Sequence, residues 1–150
     1  MKAAPRRLDS PEATQALGAS LAACLVVGDV VCLWGPLGAG KTTLARGLIR
    51  ALTSPDEEIP SPTFTLVQTY EGSGLALAHF DLYRLNRPDE VDELGLEDAT
   101  DQGAAVIEWP ERLGDRLPRD RLDIVLSIEG EGRGVRLQPH GAWEGRAIEF

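Results

Sequence analysis

Residues 30–52 constrain this chain more than any other stretch. Val30-Val31-Cys32-Leu33-Trp34 is an unbroken apolar run, the pattern of a strand buried on both faces. Gly35-Pro36-Leu37-Gly38-Ala39-Gly40-Lys41-Thr42 follows, a complete G-x-x-x-x-G-K-[ST] sequence. From Lys41 to Leu52, Leu44, Leu48 and Leu52 recur at i, i+4 and i+8, one apolar face of a helix. Strand, glycine loop and helix in this order make a phosphate-binding loop. Its glycines let backbone N–H groups wrap an anion, its Lys reaches the β- and γ-phosphates, and its hydroxyl meets Mg²⁺. The helix N-terminus turns its free N–H groups and positive dipole end on the same phosphates. Gly38, Ala39, Gly40, Lys41, Thr42 and Thr43 are therefore the expected nucleotide-binding residues.

Composition narrows the partners. The chain has 150 residues, which predicts one domain with a core of useful size and a flexible lead-in over residues 1–7. Asp and Glu number 24 against 15 Lys and Arg, a formal charge of −9 that argues against a general nucleic-acid surface. No 18-residue apolar run is present, so a membrane span is not expected. Met1-Lys2-Ala3-Ala4-Pro5-Arg6-Arg7 is basic, but no apolar segment follows it as in a signal peptide. Cys24 and Cys32 lie in apolar segments without metal-ligand spacing, as small buried hydrophobes of a reducing, cytoplasmic protein would.

Ser10-Pro11-Glu12 reads as an N-cap, a first-turn Pro and a first-turn acid, ahead of a helix carrying Leu17, Leu21 and Leu25. Residues 53–62 are polar and Pro-rich, a loop. Strands are predicted over 63–70 and 75–80, joined as a hairpin by Glu71-Gly72-Ser73-Gly74. A short acidic helix is expected from Pro88 to Leu94, ending near Gly95, and a buried strand from Ala104 to Ile107. A second hairpin joins 122–128 to 134–137 across Glu129-Gly130-Glu131-Gly132-Arg133. The fold class this implies is α/β: a nucleotide-hydrolase-like mixed sheet with a parallel centre, flanking helices and antiparallel hairpins at its edges.

Three further segments carry chemistry. In His79-Phe80-Asp81-Leu82-Tyr83-Arg84, Asp81 ends an apolar strand, where such folds keep an acid for Mg²⁺ or its water shell. In Val106-Ile107-Glu108-Trp109-Pro110-Glu111, Glu108 stands at the carboxyl end of a strand, the edge that open α/β sheets use for ligands. It can ligate Mg²⁺ or orient an attacking water, and Glu111 closes the segment on the nucleotide side. Trp109 is read as core filling in preference to a site contact. Ser61-Pro62-Thr63-Phe64-Thr65 lies where many nucleotide hydrolases keep a segment that senses the γ-phosphate. Lys41, Asp81 and Glu108 are the catalytic candidates. Thr42, Glu108 and Asp81 are the Mg²⁺ candidates, the direct ligand among the two acids left open.

Taken together, Gly38-Ala39-Gly40-Lys41-Thr42-Thr43-Leu44, Ser61-Pro62-Thr63-Phe64, His79-Phe80-Asp81-Leu82-Tyr83-Arg84-Leu85 and Glu108-Trp109-Pro110 resemble the TsaE (YjeE) family of bacterial P-loop ATPases, in order and spacing, over about residues 8 to 137. The resemblance implies ATP hydrolysis in support of tRNA N6-threonylcarbamoyladenosine synthesis, beside TsaD-like and TsaB-like partners that carry the tRNA contact. It makes Thr42 and Glu108 the Mg²⁺ ligands and Asp81 the Walker B-type acid. It also places Ser10, Thr14 and Arg133 on the adenine side. The chain departs from the family at Pro36, where relatives carry Asp.

A further reading is a nucleotide-gated binding module in which hydrolysis only times partner contact; it differs from a free-standing enzyme in turnover alone against turnover with partners. Two rival readings are weaker. Asn86-Arg87-Pro88-Asp89 mimics a guanine-reading N-K-x-D, but it follows Asp81 too closely and reads better as a helix start. A small-molecule kinase would use Arg112, Arg116, Arg119 and Arg121 as a lid over a second phosphate substrate. Asp115 and Asp120 interrupt that cluster, and local ion pairs on a solvated face explain it as well.

Overall fold

The computed structural model describes residues 5–60, 62, 65–72 and 74–148. Ser61, Thr63 and Phe64 of the expected sensing segment lie outside them, as does Ser73 of the first hairpin. The apolar run at 30–34 forms β2 (Val30–Trp34), with its first four residues fully enclosed. Enclosure on both faces requires a central position. Its neighbours are β5 (Gly103–Glu108) and β6 (Arg121–Glu129), both parallel to it. β4 (Leu75–Asp81) adds in parallel beyond β5. Antiparallel strands finish the edges: β3 (Val67–Gly72) beside β4, then β7 (Gly132–His140) and β1 (Arg6–Leu8) beyond β6. The order is β1-β7-β6-β2-β5-β4-β3, a mixed sheet with a parallel centre.

Helices α1 (Pro11–Ala22) and α2 (Lys41–Leu52) cover one face. Leu17, Leu21, Leu44, Leu48 and Ile49 pack there on Val31, Leu33, Val106 and Ile124. The opposite face buries Cys32, Phe80 and Ile107 under α3 (Val91–Leu94), α4 (Leu96–Gln102) and a 3₁₀ segment, Pro110–Arg116. Burial in this core pushes the Cys32 thiol far up, with the charge of Asp123 adding to it. Cys24 is only half-buried, in the turn after α1. Among the described residues no helix is long and apolar enough to cross a membrane.

Local chemistry explains the boundaries. Ser10 caps α1, its hydroxyl accepting the Ala13 N–H at 3.1 Å, with Pro11 at the first helical position. Arg46 and Arg50 of α2 donate to the Ile59 and Glu57 carbonyls and hold the 53–60 loop against the helix. Pro88 opens a 3₁₀ turn, Pro88–Glu90, with the Arg87 N–H donating to the Glu90 carboxylate at 2.8 Å. Asn86-Arg87-Pro88-Asp89 is thus a helix start, as its sequence suggests.

The structure corrects four expectations. Arg6 and Arg7, expected in a flexible lead-in, pair with Val135 and Gly134 in β1. Of the strand expected over 63–70, Thr63 and Phe64 lie outside the described residues, Thr65 and Leu66 are not in strand, and β3 runs on to Gly72. A separate helix, α4, follows Gly95; its LEDATDQ sequence buries only Leu96 and so shows no apolar period. The 3₁₀ segment after Trp109 is likewise absent from the sequence reading.

The two covering helices touch through glycines. A Cβ at Gly18 would lie 2.2 Å from the Leu44 carbonyl, and one at Gly47 would lie 2.2 Å from the Gln15 carbonyl. Backbone cannot yield as a flexible side chain does, so a methyl there forces the helices apart. Gly47→Ala should destabilise the fold by about 1–3 kcal/mol, the usual cost of overpacking, despite the better helix propensity of Ala. Urea unfolding of the two proteins measures it, and a more stable Gly47→Ala protein would contradict the packing described.

Candidate functional site

Topology brings the sequence candidates to one edge. The parallel strands β2, β5 and β4 all end there, with Leu33 opposite Glu108 and Glu108 opposite Asp81. The chain leaves β2 through Gly35 and re-enters order at α2. Gly40 makes that entry in the left-handed region, at φ 105°, which a side chain would resist. The α2 N-terminus therefore stands over the ends of β5 and β4.

Thr42, in the first turn of α2, donates its hydroxyl to Glu108 Oε1 at 2.7 Å. The second oxygen of Glu108 lies 2.6 Å from His79 Nε2, on β4. Both partners are enclosed, with His79 at 0% exposure and Glu108 at 2%. Asp81 is also buried, and its Oδ1 accepts the Tyr83 N–H at 3.1 Å. Lys41 Nζ donates to the Gly35 and Pro36 carbonyls and stands 3.7 Å from the centre of the Trp109 ring. Burial pulls the Lys41 pKa down; Glu108, Glu111 and Asp81, in that order, oppose the shift. Lys41 is the one cationic side chain among the described residues lining this pocket, and so the charged group there able to meet an anion.

Lys41, Thr42, Asp81 and Glu108 line a cavity of about 380 Å³ with Leu37, Gly38, Gly40, Thr43, Tyr83 and Trp109. Trp109 corrects the expectation in part: partly buried, it packs against the core and also borders the site, its ring 5.0 Å from that of Tyr83. Its backbone turns into the left-handed region at φ 60°, immediately before Pro110. This conformation is costly for a bulky residue, and it ends β5 while swinging the indole over Lys41.

A second cavity of about 110 Å³ adjoins the first across Gly38, Gly40 and Thr43. Ser10, Thr14 and Arg133 meet there, with Leu8, Pro11, Glu131 and Gly132. The strand ladder explains the meeting: β6 ends at the same edge, its return strand carries Arg133, and Leu8 pairs with Arg133 just before α1 begins. Arg133 Nε also donates to the Gly38 carbonyl at 3.1 Å.

Other candidates fall differently. Ala39 turns its side chain into the core, leaving only backbone to the loop. Glu111 is exposed on the 3₁₀ segment and borders neither cavity, though its charge is felt by Lys41. Of the sensing segment, Leu66 is described just beyond it, and its carbonyl accepts the Asp81 N–H at 3.0 Å. Of the arginines weighed as a lid, Arg112 lies 5.7 Å from the centre of the Tyr83 ring, beside the cavity, while two others are paired elsewhere. Arg116 pairs with Asp92, Arg121 pairs with Asp123, and none of the four lines the cavity beside the loop. His79, Tyr83 and Leu37 were not singled out from sequence. For His79 the signal was present, since it stands two residues before Asp81 on one strand and so shares its face.

Comparisons with known proteins identify the family. The family model for threonylcarbamoyl adenosine biosynthesis protein TsaE matches residues 8–135. The tRNA threonylcarbamoyladenosine biosynthesis protein TsaE of Rickettsia felis is 39% identical over 143 residues, 95% of this chain and 84% of that protein. The Bacillus subtilis protein of the same name is 39% identical over 132 residues, 87% of this chain and 82% of that one. Among solved structures, the crystal structure of Bacillus subtilis YdiB matches with a TM-score of 0.76 and 33% identity, over 94% of this chain and 87% of that chain. Proteins of this family function in threonylcarbamoyladenosine modification of tRNA. The chain, matched by the family model from residue 8 to residue 135 and by its relatives over most of its length, belongs to the TsaE family.

Proposed function

We propose that this chain binds ATP with Mg²⁺ across the loop Gly35–Thr42 and hydrolyses it, driving a step of tRNA N6-threonylcarbamoyladenosine synthesis in the cytoplasm with TsaD-like and TsaB-like partners. The observation that carries this reading is the convergence of Lys41, Thr42, Asp81 and Glu108 on one cavity at the carboxyl edge of the sheet. The second cavity, across the loop, is placed to receive the nucleoside end.

The donor set suits Mg²⁺. Thr42, Asp81 and Glu108 offer only hard oxygens, and Mg²⁺ takes one or two carboxylates with phosphates and water rather than a full protein cage. Thr42 with Glu108 or Asp81 would hold the ion, which when bound neutralises charge on the transferring phosphoryl group. The protein's own contribution is positioning. Loop amides and Lys41 fix the phosphates, and a carboxylate at the edge orients the attacking water. The site is open to partners on the side of Leu37, which is 78% exposed at the loop tip.

Three outcomes test the reading. Lys41→Ala should weaken ATP binding by about 1.5–3 kcal/mol, the range for a hydrogen bond to a charged group, and lose turnover. Calorimetric titration and phosphate release measure both, and a parent-like rate would refute the assignment. Asp81→Ala and Glu108→Ala should each reduce single-turnover hydrolysis far more than ATP affinity, because both act where charge rearranges. A variant hydrolysing at the parent rate marks its residue as a mere strand-end acid. The isolated chain, at a charge of −9, should not hold tRNA tightly at physiological salt. Filter binding checks this, and tight, salt-sensitive capture of tRNA by this chain alone would contradict it.

A further inference from the structure

We infer that His79 is a positioning residue for Glu108, fixing the second oxygen of that carboxylate through its Nε2–H while Thr42 engages the first. This rests on the reading of Glu108 as part of the hydrolytic machinery. The two strands bring the pair together. His79 and Asp81 lie two apart on β4 and share the face toward α2, and Glu108 on β5 sits opposite Asp81. Glu108 Oε2 is 2.6 Å from His79 Nε2, and neither side chain meets solvent appreciably.

The tautomer follows from the surroundings. Among the described residues His79 Nδ1 is buried with no hydrogen-bond partner. A proton on Nδ1 in place of Nε2 would leave a donor unmet inside the core, and the carboxylate would face a lone pair. A proton on Nε2 satisfies the carboxylate instead, and the ring presents it whether or not Nδ1 also carries one. The role therefore does not depend on the charge of the ring.

The consequence concerns orientation. A Glu side chain at a strand end has three rotatable bonds and, with one partner, can swing. Thr42 is also the hydroxyl that the phosphate-binding loop offers to Mg²⁺, so its bond to Glu108 is the one open to exchange. His79 takes no part in the cavity lining, and its bond is enclosed. It keeps Glu108 aimed at the cavity whichever partner Thr42 has. Such orienting partners commonly govern activity 10- to 100-fold without touching substrate.

The test uses the full chain with three variants: His79→Leu, which removes the donor; His79→Gln, whose amide can restore a donor near Nε2; and Glu108→Ala. Single-turnover ATP hydrolysis and ATP affinity are measured for each, with thermal unfolding to confirm folding. His79→Leu should lower the rate about 10- to 100-fold with ATP affinity near the parent's, and His79→Gln should recover most of it. A folded His79→Leu protein at the parent rate, or equal losses in both His79 variants, overturns the proposal. A second readout is independent of hydrolysis. Imidazole ¹⁵N–¹H correlation spectra should show a strongly hydrogen-bonded Nε2–H on His79 that weakens in Glu108→Ala. A spectrum showing the proton on Nδ1 alone, or unchanged in Glu108→Ala, also overturns it. If the parent chain hydrolyses no ATP while the Nε2–H bond is present, the hydrolytic role fails together with the function proposed above, and the pair is shown to be structural only.

Discussion

The bond from the Thr42 hydroxyl to the Glu108 carboxylate joins the two halves of this molecule. Thr42 belongs to the helix that leaves the glycine loop, and Glu108 to β5, the third strand after β2 in the chain and its neighbour in the sheet. Its geometry requires β5 to pair with β2 in the register Leu33 opposite Glu108, and α2 to start directly above. That start depends in turn on Gly40 at φ 105° and on α1 approaching α2 through Gly18 and Gly47. The bond is one contact of about 1.5–3 kcal/mol, as for hydrogen bonds to charged groups, so it reports the arrangement more than it creates it.

Charge is arranged around that contact with economy. Four ionisable side chains, Lys41, His79, Asp81 and Glu108, are buried at the sheet edge, where isolated charge is expensive. Each has an answering contact: carbonyls and the Trp109 ring for Lys41, a backbone N–H for Asp81, a hydroxyl and the His79 imidazole for Glu108. The left-handed backbone at Trp109 belongs to the same arrangement. It is strained for a residue of that size, and its effect is to bring the indole over the lysine at the margin of the core.

Legibility followed the strength of local signals. The strand, glycine loop and helix at 30–52 were readable because each residue type there answers a single physical demand, and α2 spans the residues its leucine period marks. Ser10 was readable as a cap for the same reason. The meeting of Ser10, Thr14 and Arg133 came from the family resemblance, because it arises from strand pairing between residues more than a hundred apart. β1 was missed because three residues, two of them Arg, carry no apolar alternation, and their pairing partner is remote. α4 was missed because it buries one side chain. Trp109 was read only in part, because burial preference cannot foresee a left-handed turn before a proline. His79 was overlooked beside Asp81 although strand alternation sets both on one face.

Peptide-resolved hydrogen exchange of the full chain, with and without Mg²⁺ and ATP, tests the central claim most directly. Binding across the loop predicts slowed exchange concentrated in residues 35–43, with further protection at 8–14, 106–111 and 130–134. Protection confined to the groove bordered by Asp92, Thr100, Arg116 and Asp120, or no protection at saturating ATP, would contradict the account.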